Sequence, residues 1–328
     1  MRLPRTIVAV LALPLAALVV IACTRDSTTY RSIPAVAAPQ RLPYDVRPLL
    51  HPPKKYFGVS RPHAPHSMEP VHAWARAIGK QPNLIVDYAA WGDGFDATGM
   101  RNAWNAGALP VVSWEPHDTT LTRIADGASD NYVRNFATAV RTLNTPIAIS
   151  FADEMNGDWE KWGTTETTPQ EYVKAWRHIH RVFEDVGATN VIWTWSPNII
   201  KPGTRTDLSP YYPGNRYVDW VGLIGYFTDW DPHSFDGLFG STLTEIDRFS
   251  REPRILLETG AMPGRHRKGD LRALFNGVTA ARSIVGFAWF DHHKSRADWR
   301  LATNPQDVAE FRRLAANDLY GFDVRRVG

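Results

Sequence analysis

A chain of 328 residues, 44% hydrophobic and 22% charged, is long enough for one large α/β domain and has the make-up of an ordinary globular protein. Its formal charge of +3, of which Arg2 and Arg5 supply two, gives no basic surface of the kind nucleic acid requires. Cys23 is the one cysteine, which excludes an internal disulfide and leaves the fold to be held by its core.

The chain opens on a targeting pattern. Arg2 and Arg5 precede an apolar run from Ile7 to Ala22, broken by Pro14 and shorter than the roughly 20 residues of a spanning helix. Ala22-Cys23 followed by the polar Thr24-Arg25-Asp26-Ser27 resembles a bacterial lipobox. That resemblance implies a signal peptide over residues 1–22, lipidation of Cys23, and an exported protein anchored to the cell membrane facing outside the cytoplasm. A simple secretory peptide with an incidental cysteine, or an uncleaved anchor, is the alternative. Residues 23–52, rich in Ser, Thr, Pro and Ala, read as a flexible tether, and residues 53–328 as the folded domain.

From Lys55 onward short apolar runs alternate with helical patterns. Strands are expected over Tyr56–Ser60, Leu84–Trp91, Leu109–Trp114, Ile147–Phe151, Val191–Trp195, Trp220–Tyr226, Arg254–Glu258 and Ile284–Phe290. Helices are expected over Glu69–Ile78, Asp96–Asn105, Asp130–Leu143, Gln170–Val186, Leu243–Ser250, Lys268–Ala281 and Pro305–Ala315. Buried parallel strands read as continuous apolar runs, as these do. Eight strand–helix alternations without a sequence repeat predict a single-domain (β/α)8 barrel. The rival, an open doubly wound sheet, lacks its glycine-rich fingerprint after the first strand.

In a barrel the C-terminal strand ends form the active face. Glu154 follows the fourth strand and Glu258 ends the seventh, so both carboxyls can reach one cleft across the barrel mouth. Retaining glycosidases need such a pair, one carboxyl as nucleophile and the other as acid and then base. An ion pair or a helix cap is the structural alternative for either glutamate alone. Thirteen tryptophans, many beside acidic or amide residues, suit sugar rings but also suit a plain core.

Asp153-Glu154-Met155-Asn156-Gly157-Asp158-Trp159, with Trp162-Gly163 behind it, resembles the acid/base motif of glycoside hydrolase family 26. Ser113-Trp114-Glu115-Pro116, Tyr211-Tyr212-Pro213-Gly214, Glu258-Thr259-Gly260, Trp289-Phe290-Asp291 and Asp298-Trp299-Arg300 follow the same family's order across most of residues 57–300. The resemblance implies a retaining mechanism with Glu154 as acid/base and Glu258 as nucleophile, no metal or other cofactor, and a β-linked polysaccharide of mannan or glucan type as substrate. Two positions depart from the family. Its mannanases usually carry His where this chain has Asp153, and often Arg where it has Ser150. An anion at Asp153 is expected to raise the pKa of Glu154.

Further expected substrate contacts are Trp114, Glu115, Asp153, Asn156, Trp159, Trp162, Trp195, Tyr226 and Trp289. Of these, Tyr226 is placed to hydrogen-bond Glu258, and Trp289 to act as a sugar platform. His63, His66 and His117 read as surface or sugar-binding residues, and the Asp229–His233 loop as a cover over the site. A monomer is expected, with the glycan as partner, the membrane reached through Cys23, and no nucleic acid. The competing readings are a catalytically silent glycan-binding lipoprotein and a two-domain solute-binding protein, for which the strand count gives no support.

Overall fold

The computed structural model describes residues 42–201, 206–295 and 297–327. The signal peptide, most of the tether and Cys23 lie outside the described residues. The described chain belongs to one compact unit.

In chain order the elements are α1 (Arg47–Leu50), β1 (Tyr56–Ser60), α2 (Glu69–Ile78), β2 (Leu84–Ala90), α3 (Ala97–Asn105), β3 (Leu109–Glu115), α4 (Leu121–Ala125) and α5 (Asp130–Leu143). They continue with β4 (Ile147–Phe151), α6 (Pro169–Val186), β5 (Val191–Trp195), β6 (Trp220–Phe227) and α7 (Phe235–Ile246). The last are β7 (Arg254–Ala261), α8 (Arg267–Ala280), β8 (Ile284–Phe290), the short strands β9 (His293–Lys294) and β10 (Ala297–Asp298), and α9 (Pro305–Ala315). Strands β1 to β8 form a closed barrel in sequence order, and β8 pairs in parallel with β1. β9 and β10 make an antiparallel hairpin above β8.

Local sequence explains the helices. α6 opens on a capping box, in which Thr168 and Glu171 satisfy each other's backbone N–H groups, and it stops at Gly187 with φ 76°. Its buried stripe of Tyr172, Trp176, Ile179 and Phe183 follows helical spacing. The seventh helix differs from the expected Leu243–Ser250. It starts at Phe235, where the Ser234 hydroxyl caps the N–H of Gly237 at 3.1 Å. Gly237 and Gly240 dilute the apolar period there, which hid its first half.

Alternation along each strand sorts the core into two layers. Leu84, Val86, Leu109, Val111, Ala148, Ile192, Trp220 and Ala288 fill the barrel interior. Ile85, Val112, Ile149, Phe151, Trp193, Phe287 and Trp289 face the helices. At the N-terminal end of the barrel, α1 acts as a plug. Leu49 is fully buried, and the carbonyls of Leu49 and Leu50 accept bonds from the Tyr56 hydroxyl at 2.9 Å and the Trp220 indole at 3.1 Å. Residues 42–52, expected as the end of the tether, are therefore part of the folded domain.

Candidate active site

A cleft of about 610 Å³ opens at the C-terminal end of the strands, lined by Tyr88, Glu115, His117, Asp153, Glu154, Trp159, Trp162, Tyr226 and Glu258, with Phe290, His292, Lys294 and Trp299 on the β8 side. Two local irregularities aim its carboxyl groups. Where β7 pairs with β6, Leu223 faces Leu256 but the next residue, Ile224, faces Glu258, so Leu257 is an extra residue in the ladder. This bulge resets the alternation and turns Glu258 into the cleft. At the end of β4, Ala152 (φ 47°) and Glu154 (φ 55°) occupy the left-handed region that side chains with a Cβ seldom adopt. The two kinks let the adjacent Asp153 and Glu154 line the same cleft, where a regular strand would send them to opposite faces.

The two glutamates face each other across the cleft in related but distinct settings. The Glu154 carboxyl is buried and faces the charge of Glu258, which together push its pKa up to about 7 against the donors Asn198 and Trp159. The Trp159 indole donates to Oε2 at 3.1 Å, and the Asn198 amide donates to Oε1. Asn198 is itself fixed by Asn156, whose amide donates to the Asn198 carbonyl at 2.9 Å and whose Oδ1 accepts the Asn198 N–H at 2.8 Å. Glu258 is also raised by burial, but the Tyr226 and Tyr88 hydroxyls each donate to its carboxylate and oppose that rise. Both carboxyls accept two donors and both are raised by burial; what sets Glu154 apart is the charge of Glu258 facing it, which favours its protonated form, a contrast that suits an acid facing a nucleophile.

Asp153 lies on the cleft floor, with Ser113 Oγ donating to its Oδ1 at 3.0 Å. Burial first, and then the charges of Glu115, Glu154 and Glu258, push its pKa well above the usual carboxylate range. Burial therefore favours its neutral form, and the groups that most raise the Glu154 pKa are burial and Glu258. Ser150 is buried and bonds Ser196 at 2.7 Å, so β4 places no cation under the site.

Glu115, Asp153, Asn156, Trp159, Trp162 and Tyr226 all lie in the cleft or bond to groups in it. Glu115 bonds His117 at 2.7 Å, and the Trp162 indole donates to the Asp153 carbonyl at 2.6 Å. Three expected sugar contacts are corrected. Trp114, Trp195 and Trp289 are fully buried on the helix side of the sheet. Trp114 stacks on Phe136 at 4.2 Å, Trp195 meets Tyr212 at 5.2 Å and Trp289 meets Phe311 at 5.3 Å. Each sits one residue out of phase with the inward positions of its strand. The aromatic wall belongs instead to Phe290 and to Trp299, which packs on Tyr226 at 4.5 Å across the bare Cα of Gly260. A Cβ at Gly260 would meet both rings at 3.1 Å. His63, His66 and the Asp229–His233 loop do not line the cleft, although Trp230 on that loop is 76% exposed. Sequence reasoning missed Tyr88, Asn198, Phe290, His292, Lys294 and Trp299. Tyr88 and Phe290 share the inward phase of their strands and were open to that argument.

A (β/α)8 barrel with a carboxylate pair at the ends of β4 and β7 is the frame of a glycoside hydrolase, and similarity to known proteins narrows the class. Residues 119–250 match the profile of glycosyl hydrolase family 26. Endoglucanase H of Acetivibrio thermocellus is 26% identical over 248 residues, which cover 71% of this chain and 27% of that protein. A mannan endo-1,4-beta-mannosidase of Bacillus subtilis is 30% identical over 173 residues, 50% of this chain and 44% of that protein. The chain therefore spans less than half the length of these curated relatives. Among solved structures, the catalytic domain of a Bacillus sp. endo-beta-1,4-mannanase superposes with a TM-score of 0.67 at 17% identity, covering 84% of this chain and 89% of that one. The chain is thus similar to glycosyl hydrolase family 26 over residues 119–250, and its barrel has the same fold as that of a mannanase catalytic domain.

Proposed function

We propose that this protein is a retaining glycoside hydrolase that cleaves a β-linked glycan of mannan or glucan type. The observation that carries the reading is the contrast between Glu154, held protonated to about pH 7, and Glu258, fed by two tyrosine hydroxyls. In the first step the Glu258 carboxylate attacks the anomeric carbon as the glycosidic C–O bond breaks. Glu154 gives its proton to the departing oxygen. In the second, Glu154 takes a proton from water, whose oxygen displaces Glu258 and frees the sugar. The fixed Asn198 amide orients Glu154, and Trp159, half exposed at the cleft edge, offers an aromatic face to a sugar. The names of the relatives span endoglucanase, mannan endo-1,4-beta-mannosidase and beta-1,3-xylanase, which supports β-linked glycans as the substrate class.

Labelling with an activated 2-fluoro glycoside tests the reading. The covalent adduct is expected on Glu258 and absent from Glu258→Ala. An adduct on another residue would overturn the assignment. The reading includes attachment of a monomeric, exported protein to the membrane through a lipidated Cys23. Cys23→Ser should then leave the membrane fraction, since stable anchoring depends on the acyl chains. A variant that fractionates with membranes as the parent does would exclude that anchor.

A further inference from the structure

Among the described residues, the β8 side of the cleft holds one charged group with no evident task in glycosidic chemistry. Lys294, in the hairpin after β8, lines the cleft and lies 5.6 Å over the ring of Phe290. No described carboxylate forms an ion pair with its ammonium, although the same cleft holds Glu115, Asp153, Glu154, Glu160 and Glu258. Its basic neighbours are otherwise engaged. Arg61 pairs with Asp291 at 2.8 Å. His292 is pushed down to about 4 by burial and by the charges of Lys294 and Arg61, so it is neutral at pH 7. Its Nε2 is buried without a partner.

The carboxyl groups of the cleft are engaged by other partners. Ser113 bonds Asp153, and Asn198 and Trp159 bond Glu154. Glu115 and Glu160 share His117, at 2.7 Å and 3.8 Å. Tyr226 and Tyr88 bond Glu258 on the floor, and the Lys294 ammonium on the wall is close enough to help hold the Glu258 carboxyl down. An ammonium there can donate to the hydroxyls of any sugar, but a carboxylate on the sugar adds a charge pair that a neutral glycan does not offer.

Resting on the hydrolase reading above, we propose that the hairpin end of the cleft is a subsite for a carboxylate carried by the glycan, with Lys294 as its counter-charge. The acidic sugar, a uronic acid in chemical class, sits in the subsite of the nucleophile or the next one toward the hairpin. Phe290 backs its ring, and neutral His292 is available to its hydroxyls.

The test compares a soluble β-1,4-glucan with the same polymer oxidised in part to the carboxylate at C6, and a β-mannan pair prepared likewise. Wild type should show a higher kcat/KM on the oxidised member, by about fivefold at low salt, the scale of one exposed ion pair. Added salt should shrink that ratio. Lys294→Gln should bring it near one, and Lys294→Arg should keep it. The readout is a ratio, so any effect of the Lys294 charge on Glu258 itself cancels. Equal ratios in wild type and Lys294→Gln would overturn the acidic subsite while leaving the hydrolase reading in place. No turnover of any member, with Glu258 also unlabelled by the 2-fluoro glycoside, would overturn the hydrolase reading and the subsite with it.

Discussion

Replacing Glu154 by Gln should make the protein inactive and more stable, and the gain should grow with pH. The folded pKa of Glu154 is about 7 against an ordinary 4.5. Between those values the folded state holds a proton that the unfolded chain has lost, so stability falls as pH rises through this window. At 1.36 kcal/mol per unit, the penalty is about 1 kcal/mol at pH 5 and about 3 kcal/mol at pH 8. Glu154 is partly exposed to the cleft, so solvent screening trims that figure. Glutamine removes the titration. It cannot accept from both Asn198 and Trp159 with its single oxygen, which costs about 1 kcal/mol at every pH. The variant should therefore match wild type near pH 5 and exceed it by about 2 kcal/mol at pH 8. Urea unfolding of both proteins at the two pH values reads this directly. Parallel stabilities at pH 5 and pH 8 would show that Glu154 ionises normally in the fold, and the assignment of the acid would lose its physical basis.

Tyr226→Phe removes one donor from Glu258, so the nucleophile's pKa should rise. The low-pH limb of kcat/KM should then move up by roughly one to two units, the worth of a hydrogen bond to a charged group. Burial favours the neutral form of the Asp153 carboxyl, so Asp153→Asn should leave the high-pH limb within about 0.3 unit of wild type. A clear downward move would mean that Asp153 carries charge beside Glu154. Trp289→Ala should cost about 3–5 kcal/mol in unfolding experiments, because the ring is fully buried against Phe311. Trp159→Ala should raise KM and change stability by no more than about 0.5 kcal/mol, because half of that side chain is already in water.

The barrel was legible because its signal is repeated eight times. Each apolar run is short, each but the fifth is followed by a helical stripe, and no single misread boundary changes the count. Gly237 and Gly240 cost α7 its first half without disturbing the topology. That Glu154 and Glu258 share one cleft was legible for a different reason, since the C-terminal strand ends of a barrel form its active face. The aromatic wall was misread because end-of-strand position was used without phase. Ala288 fills the barrel interior and Phe290 lines the cleft, so Trp289 between them had to face α9. The same test applied to β3 puts Ser113 and Glu115 inward and Trp114 outward.

Phase alone, however, would have misplaced Glu258 and Asp153. Counting from Ile255 and Leu257, which face the barrel interior, alternation sends Glu258 outward toward the helices. Counting from Ala148 and Ser150, it keeps Asp153 and Glu154 on opposite faces. Only the extra residue at Leu257 and the left-handed Ala152 and Glu154 reverse those outcomes, and nothing in residue type announces either device. Both kinks fall on residues with a Cβ, where a glycine would sit at lower cost. Such strain, of order 1–3 kcal/mol per residue, persists only where surrounding contacts fix it. Here those contacts are the bonds of the Ala152 N–H to the Trp114 carbonyl at 3.0 Å and of the Glu154 N–H to the Ser196 carbonyl at 2.8 Å. The neighbouring strands β3 and β5 thus hold the end of β4 in the shape that brings Glu154 to face Glu258. The positions at which regular strand geometry fails are the positions that bring the two carboxyls into one cleft.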